Sequence, residues 1–130
     1  MNYIYTAVFT TDSDSGKILA KVPDLPGCIS SGKDLKEAIE EITDAASLWL
    51  VSAEDREDPI PEPTPQNLLA DHPYDARSFI QIDTIAYRAA TDSRAVRKNV
   101  SLPAWMARLA DKKGINCSQV LQEGLLKIFY

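Results

Sequence analysis

The last 37 residues most constrain what this chain can fold into, because they hold a strand and two helices in too short a segment for a core of its own. Sequence periodicity predicts a strand over 97–102 and a helix over 103–113, with Pro103 in the first helical position. Gly114 is expected to cap the end of that helix, and Asn116 the start of a second one. Segments of this length seldom bury enough apolar surface as monomers. The tail is therefore predicted to dimerise.

The predicted strand of the tail has one apolar and one polar side. By the two-residue period of a strand, Val100 and Leu102 point one way, and Arg97, Asn99 and Ser101 point the other. Two copies paired antiparallel would form a ribbon that fits the DNA major groove, where Arg can bond guanine and Asn can bond adenine. We therefore predict DNA binding by a homodimer. A dimerisation tail without nucleic acid, a tail that binds RNA, and assembly of dimers into tetramers all stay open.

Charge divides the chain near residue 93. Residues 1–93 carry 17 acidic and 7 basic side chains, a net charge of −10, whereas residues 94–130 carry 7 basic and 2 acidic ones, a net charge of +5. An acidic body favours a basic protein as partner, while a basic tail favours polyanions, and the start of a helix binds phosphate through its backbone N–H groups. The remaining predicted DNA-contacting residues are Lys98, Asn116, Cys117 and Ser118.

Residue patterns in the amino-terminal part predict a small sheet covered by one main helix. Asp34 and Glu37 have the spacing of a capping box, and apolar residues recur with helical period over 35–53. The fold class is therefore α+β, with an antiparallel sheet. The predicted strands are 2–10, 17–22, 28–30 and 78–85.

Prolines and acidic residues mark the connections between these elements. Residues 55–77 are expected to form an extended connector with a short helical turn near 67–69, and a second linker is expected from Tyr87 to Ser93. The predicted domains are 1–87 and 96–130, joined by a linker over 88–95.

The polar side of the predicted helix is strongly acidic. A solvated charged face and a contact with a basic partner are both compatible with this pattern. If this side contacts a partner, the predicted partner-binding residues are Glu37, Glu40, Glu41 and Asp44 on the helix, together with Asp24 in the preceding proline turn.

Other sequence features indicate a cytoplasmic protein without a cofactor or metal. Cys28 and Cys117 have no metal-ligand spacing, and both are interpreted as small buried or half-buried side chains. The first residues lack the basic region of a signal peptide, and no stretch reaches the roughly 20 apolar residues of a membrane helix.

The sequence resembles a known family. The segment Val22-Pro23-Asp24-Leu25-Pro26-Gly27-Cys28, followed by Gly32, the helix start at Asp34 and the run Pro59-Ile60-Pro61-Glu62-Pro63, is similar to HicB-type antitoxins. The tail from Arg97 to Phe129 resembles the ribbon-helix-helix domains that some of these antitoxins carry. One departure is that the family often has Arg-Ser at the start of the last helix, where this chain has Cys117-Ser118.

The resemblance implies a partial RNase H-like domain that has lost nuclease function. It also implies a small, basic HicA-type toxin that cleaves messenger RNA through a histidine, and autoregulation, in which the antitoxin represses the operon encoding both proteins. Neutralisation by an acidic antitoxin agrees with the charge of the body.

Two rival functions stay open. An RNase H-like nuclease needs several carboxylates around metal ions, but the predicted strands offer only Asp83, with Asp24 in a proline turn, and His72 lies in a polar connector. We therefore expect no enzyme activity. A transcriptional repressor without a toxin is the second rival.

Overall fold

The computed structural model describes residues 1–69 and 75–130, which form two compact units, Asn2–Thr91 and Asp92–Tyr130. The strands are β1 (Asn2–Thr11), β2 (Ile18–Lys21), β3 (Ile29–Gly32) and β4 (Ala76–Asp83). The helices are α1 (Leu35–Arg56), α2 (Thr84–Thr91), α3 (Ala104–Lys112) and α4 (Cys117–Phe129), and a 3-10 helix lies at Gln66–Leu69.

The four strands form one antiparallel sheet in the order β3-β2-β1-β4. The long strand β1 pairs with β4 from Asn2 opposite Asp83 to Phe9 opposite Ala76. The predicted α+β class, with an antiparallel sheet and one main helix, is confirmed. The predicted last strand, 78–85, was placed two residues too far along the chain, since β4 begins at Ala76 and ends at Asp83.

Helix α1 covers one face of the sheet and forms the core with it. The N–H of Glu37 donates to the Asp34 carboxylate at 2.8 Å, which confirms Asp34 as the N-cap. The helix continues three residues beyond its predicted end, to Arg56. Its buried residues are Ala38, Ile42, Ala46, Ser47, Leu50 and Ala53, and the largest side chains packed under them are Tyr5, Phe9, Leu25 and Ile82.

The proline turn after β2 is anchored in this core. Leu25 is fully buried, and its backbone closes the turn by donating to Val22 O at 3.1 Å and accepting from Cys28 N at 3.0 Å. Gly27 has a φ of 81°, a left-handed conformation that favours glycine. The indole N–H of Trp49, on α1, donates to Pro26 O at 3.0 Å. The turn is therefore joined to the helix as well as to the sheet.

The proline-rich connector runs along the same unit. The hydroxyl of Tyr5 donates to Pro61 O at 2.6 Å, and Leu69 of the 3-10 helix is buried, which confirms the predicted helical turn. His72 lies outside the described residues.

Helix α2 corrects the sequence prediction, which continued a strand to residue 85 and placed a linker over 88–95. The carboxylate of Asp83 accepts from the N–H groups of Ile85 and Ala86 at 3.0 and 3.1 Å, so it acts as a helix cap. The chain turns into a helix there, and residues 88–91 belong to it.

A hydrogen-bonded cluster around Glu54 holds α2 against α1. The Glu54 carboxylate accepts from the hydroxyl of Tyr3 at 2.8 Å, the hydroxyl of Thr84 at 3.1 Å and the guanidinium of Arg88 at 3.1 Å. Arg88 also contacts Asp55 at 2.8 Å. Strand β1 and both helices therefore meet at one carboxylate, which we call the Glu54 cluster.

The tail contains two helices, as predicted, with one correction. Pro103 is the N-cap of α3, because its ψ of 141° is extended, and the first helical residue is Ala104. Gly114 has a φ of 66°, and its N–H and that of Ile115 donate to Asp111 O and Ala110 O, which is a Schellman ending. The side chain of Asn116 accepts from Gln119 N at 3.2 Å and caps α4, as predicted.

The predicted strand over 97–102 is absent from the single chain, where residues 92–103 form neither helix nor strand. A strand exists only through hydrogen bonds to a neighbouring strand, and the unit Asp92–Tyr130 contains no other strand.

The cysteine prediction is half correct. Cys28 is buried, but Cys117, the first residue of α4, is exposed. Among the described residues, no helix combines the length and apolar composition needed to cross a membrane.

Replacing Gly32 by alanine is expected to destabilise the amino-terminal unit by about 1–3 kcal/mol. An added Cβ would press on the backbone nitrogen of Ala38 and lie 2.8 Å from the carbonyl carbon of Glu37, and neither backbone atom can move without shifting α1. Urea unfolding followed by circular dichroism measures the change. Ser31→Ala, an exposed change on the same strand, is the control and should stay within about 0.5 kcal/mol. Equal stability of the two variants would contradict the close approach.

Tyr3 is expected to make stability fall at alkaline pH. Burial, then the hydrogen bond to Glu54, then the charges of Glu54 and Tyr5 raise its pKa from 10.0 to about 12. Because the folded state holds this proton more tightly, the contribution is complete below pH 10 and is lost as pH rises to 12. The stability difference between the unsubstituted chain and Tyr3→Phe should therefore shrink over that range.

Urea unfolding at a series of pH values measures this difference. Tyr130→Phe, at an exposed tyrosine of the other unit, is the control and should leave the pH profile unchanged. A difference that stays constant between pH 10 and 12 would argue against the raised pKa of Tyr3.

Candidate functional site

Four of the predicted partner-binding residues lie together on the exposed side of α1. Glu37, Glu41 and Asp44 follow one another at spacings of four and three residues, and Glu40 lies beside them, so their side chains are neighbours. Glu40, Glu41 and Asp44 are exposed, whereas Glu37 is half-buried and lies 3.9 Å from Lys33 Nζ. We call these four residues the acidic stripe. Their mutual repulsion is relieved when a cationic surface approaches.

The fifth predicted residue, Asp24, lies in the proline turn and not on α1, and it is half-buried. Its carboxylate accepts from both the backbone N–H and the hydroxyl of Thr64, which lies 40 residues further along the chain. It therefore holds the proline-rich connector against the turn after β2.

A groove that the sequence did not predict continues from the acidic stripe along α1. It has a volume of about 330 Å³ and lies between the segment that enters β3 and the second half of the helix. Leu48 is the one residue whose position in the sequence could have indicated this groove. It is a large apolar residue on the polar side of the helix, four positions after Asp44. Its side chain is 55% exposed. The apolar and small residues that line the groove are Cys28, Ile29, Ala45, Leu48, Trp49 and Ser52.

The chemistry of the groove lining is apolar. Burial raises the pKa of the Cys28 thiol to about 11, so this group is neutral at ordinary pH. Arg56 borders the groove, but its guanidinium is paired with Asp58 at 2.8 Å. The groove is therefore suited to an apolar side chain and not to a small charged ligand.

The predicted DNA-contacting residues are all exposed and lie in two places in the tail. Arg97, Lys98, Asn99 and Ser101 lie in the extended segment before α3. Asn116, Cys117 and Ser118 form the start of α4. No described contact joins the two groups within the single chain.

Both tail helices expose their apolar residues. Neither α3 nor α4 has a buried residue, although both are amphipathic. These side chains would normally form a core. The exposed apolar residues of the tail include Val100, Leu102, Trp105, Met106, Leu109, Val120, Leu121, Leu125, Ile128 and Phe129.

The carboxylates considered for a nuclease have structural roles. Asp24 binds Thr64, and Asp83 caps α2. Within residues 1–69 and 75–130, no group of three or more His, Cys, Asp or Glu side chains is arranged to hold a metal ion. Two-metal hydrolysis needs such a group.

A family model and a sequence relative match this chain. The family model described as HicB-like antitoxin of bacterial toxin–antitoxin systems matches residues 5–123. The UPF0150 protein Ta0767 of Thermoplasma acidophilum is 39% identical over 57 residues, which are 44% of this chain and 81% of that protein.

Two solved structures share the fold over nearly the whole chain. A chain of a toxin–antitoxin complex from Streptococcus pneumoniae aligns with a TM-score of 0.62 and 20% identity, covering 98% of this chain and 99% of that one. The Burkholderia pseudomallei antitoxin HicB aligns with a TM-score of 0.53 and 19% identity, with the same coverage. At these identities the likeness concerns the fold.

Proposed function

The chain belongs to the HicB-like antitoxin family of bacterial toxin–antitoxin systems, a non-enzymatic class, and we propose that it has two activities. Its amino-terminal unit neutralises a HicA-type toxin that cleaves messenger RNA, and its tail dimerises as a ribbon-helix-helix and represses its own operon. We further propose that the amino-terminal sheet and α1 are a partial RNase H-like fold without nuclease function.

Charge supports the proposed toxin contact. An RNA-cleaving toxin needs a basic surface to hold its polyanionic substrate, and the acidic stripe is a negatively charged surface on a rigid helix. A protein that covers this basic surface with carboxylates competes directly with the RNA. The proposed contact residues are Glu37, Glu40, Glu41 and Asp44 on α1 and Asp24 in the proline turn, whose carboxylate also binds Thr64.

The exposed apolar side chains of α3 and α4 are the observation that carries the proposed dimer. Each copy leaves residues such as Trp105, Leu109 and Leu125 uncovered, and a second copy with the same faces can bury them. Pairing of residues 97–102 from both copies would also give these backbones the strand partner that a single chain lacks.

The proposed DNA contacts follow from this pairing. The antiparallel ribbon would turn Val100 and Leu102 toward the four helices and present Arg97, Asn99 and Ser101 of both copies to the major groove. Lys98 and the start of α4 would then contact the phosphates on either side. Cys117 stands where the family often has arginine, so the helix start binds phosphate through backbone N–H groups and Asn116 and Ser118.

Removing residues 94–130 tests the division of labour. The shortened chain is expected to lose DNA binding and dimerisation but to neutralise the toxin, because the amino-terminal unit has its own core. Sedimentation, an operator mobility-shift assay and co-expression with the product of the neighbouring reading frame measure the three properties. The intact chain is the control. Failure of the intact chain to bind that product would favour a repressor without a toxin.

Replacing Arg97 by alanine is expected to cost about 1–3 kcal/mol of operator binding and to relax specificity at one base pair, because the side chain is proposed to read guanine. Lys98→Ala is the matched control, expected to weaken binding to all sequences alike and to reduce its salt dependence by about one phosphate contact. Titrations against operators substituted at each position distinguish the two. If Arg97→Ala weakens all operators equally, Arg97 contacts phosphate.

A further inference from the structure

The acidic stripe and the groove form one continuous surface. Glu41, Asp44, Leu48 and Ser52 follow one another along α1 at spacings of three or four residues, so each side chain lies next to the following one. The distance along the helix from Glu37 to Leu48 is about 16 Å at 1.5 Å per residue. The acidic stripe and the apolar groove are therefore close enough for one protein partner to contact both.

The groove is bordered by large apolar side chains that are exposed to solvent. Leu48 is 55% exposed and Ile29 is 69% exposed, yet they border a groove whose floor includes the buried Cys28 and the half-buried Trp49. Trp49 is fixed by its bond to Pro26 O, so the groove is preformed. A preformed apolar pocket beside a charged rim is the arrangement in which one anchoring side chain contributes most to binding.

We propose that this groove receives an apolar side chain of the toxin, while the acidic stripe pairs with basic residues next to that side chain. The inference rests on the proposed function and names the part of the surface that fixes the orientation of the partner. Charge complementarity selects a basic protein as occupant, because Asp44 lies one helical turn before Leu48 of the groove, and the rest of the acidic stripe continues from Asp44 toward the start of α1. The carboxylates attract the partner, and the groove sets its register on α1.

Leu48→Asp separates the groove from simple charge attraction. The substitution adds a negative charge, so it should strengthen binding to a basic toxin if charge alone decides. If the groove receives an apolar side chain, it should weaken binding by about 30-fold or more, the range of an interface anchor. Leu68→Asp is the matched control, since Leu68 is a 66% exposed leucine on the 3-10 helix, and it should change affinity less than about threefold.

Calorimetric titration of each full-length variant measures these affinities. The probe is the product of the neighbouring reading frame, with its histidine replaced by alanine so that it can be produced alone. Circular dichroism and operator binding confirm that each variant is folded. Ser52→Phe is a second test that leaves the charge unchanged, because its ring would fill the groove, and it should also weaken binding strongly.

The outcomes separate the two levels of the proposal. If the unsubstituted chain does not bind the probe, the proposed function is wrong. If it binds and Leu48→Asp binds equally well or better, the function stands and the groove inference is overturned. A lower mass of Leu48→Asp alone in sedimentation would mean that a second copy occupies the groove, which also overturns the inference.

Discussion

The packing of α1 across the sheet is the interaction on which the rest of the amino-terminal unit depends. Its buried side, with Ile42 and Leu50, forms the core with Phe9 and Ile82. The start of the helix is held close to β3, where only glycine fits at position 32, and its last turns are held by the Glu54 cluster. The exposed side therefore has a fixed orientation, which is what a surface for recognising another protein requires.

Local sequence patterns predict a strand or helix correctly where its own residues show the period or the cap of that element. The alternation in β1, the helical period of α1 and the cap at Asp34 predicted those elements. The sequence pattern does not indicate helix α2, because Thr84 and Ile85 continue the alternation of β4 and the cap formed by Asp83 is visible only in the structure. Local propensity and capping compete at such a boundary, and here the cap decides.

The functional surfaces depend on contacts between residues far apart, and this limits what one sequence shows. The residues of the acidic stripe share one helix, so their position on a common side of it could be predicted from spacing. The groove combines Cys28 with Leu48 and Trp49, which only the tertiary fold brings together. The role of Asp24 depends in the same way on Thr64. Under the proposed function, the strand over 97–102 forms only with a second chain, so its pattern describes an assembly and not the monomer.

The two units differ in what they need in order to be complete. The amino-terminal unit buries its core within one chain, whereas the tail leaves both helix faces exposed. Under the proposed function, the dimer is stabilised by mass action and forms only at sufficient protomer concentration, while the acidic stripe is available on every copy. Neutralisation then needs one chain, and repression needs two. Operator binding by such a protein responds to its concentration more steeply than toxin binding does.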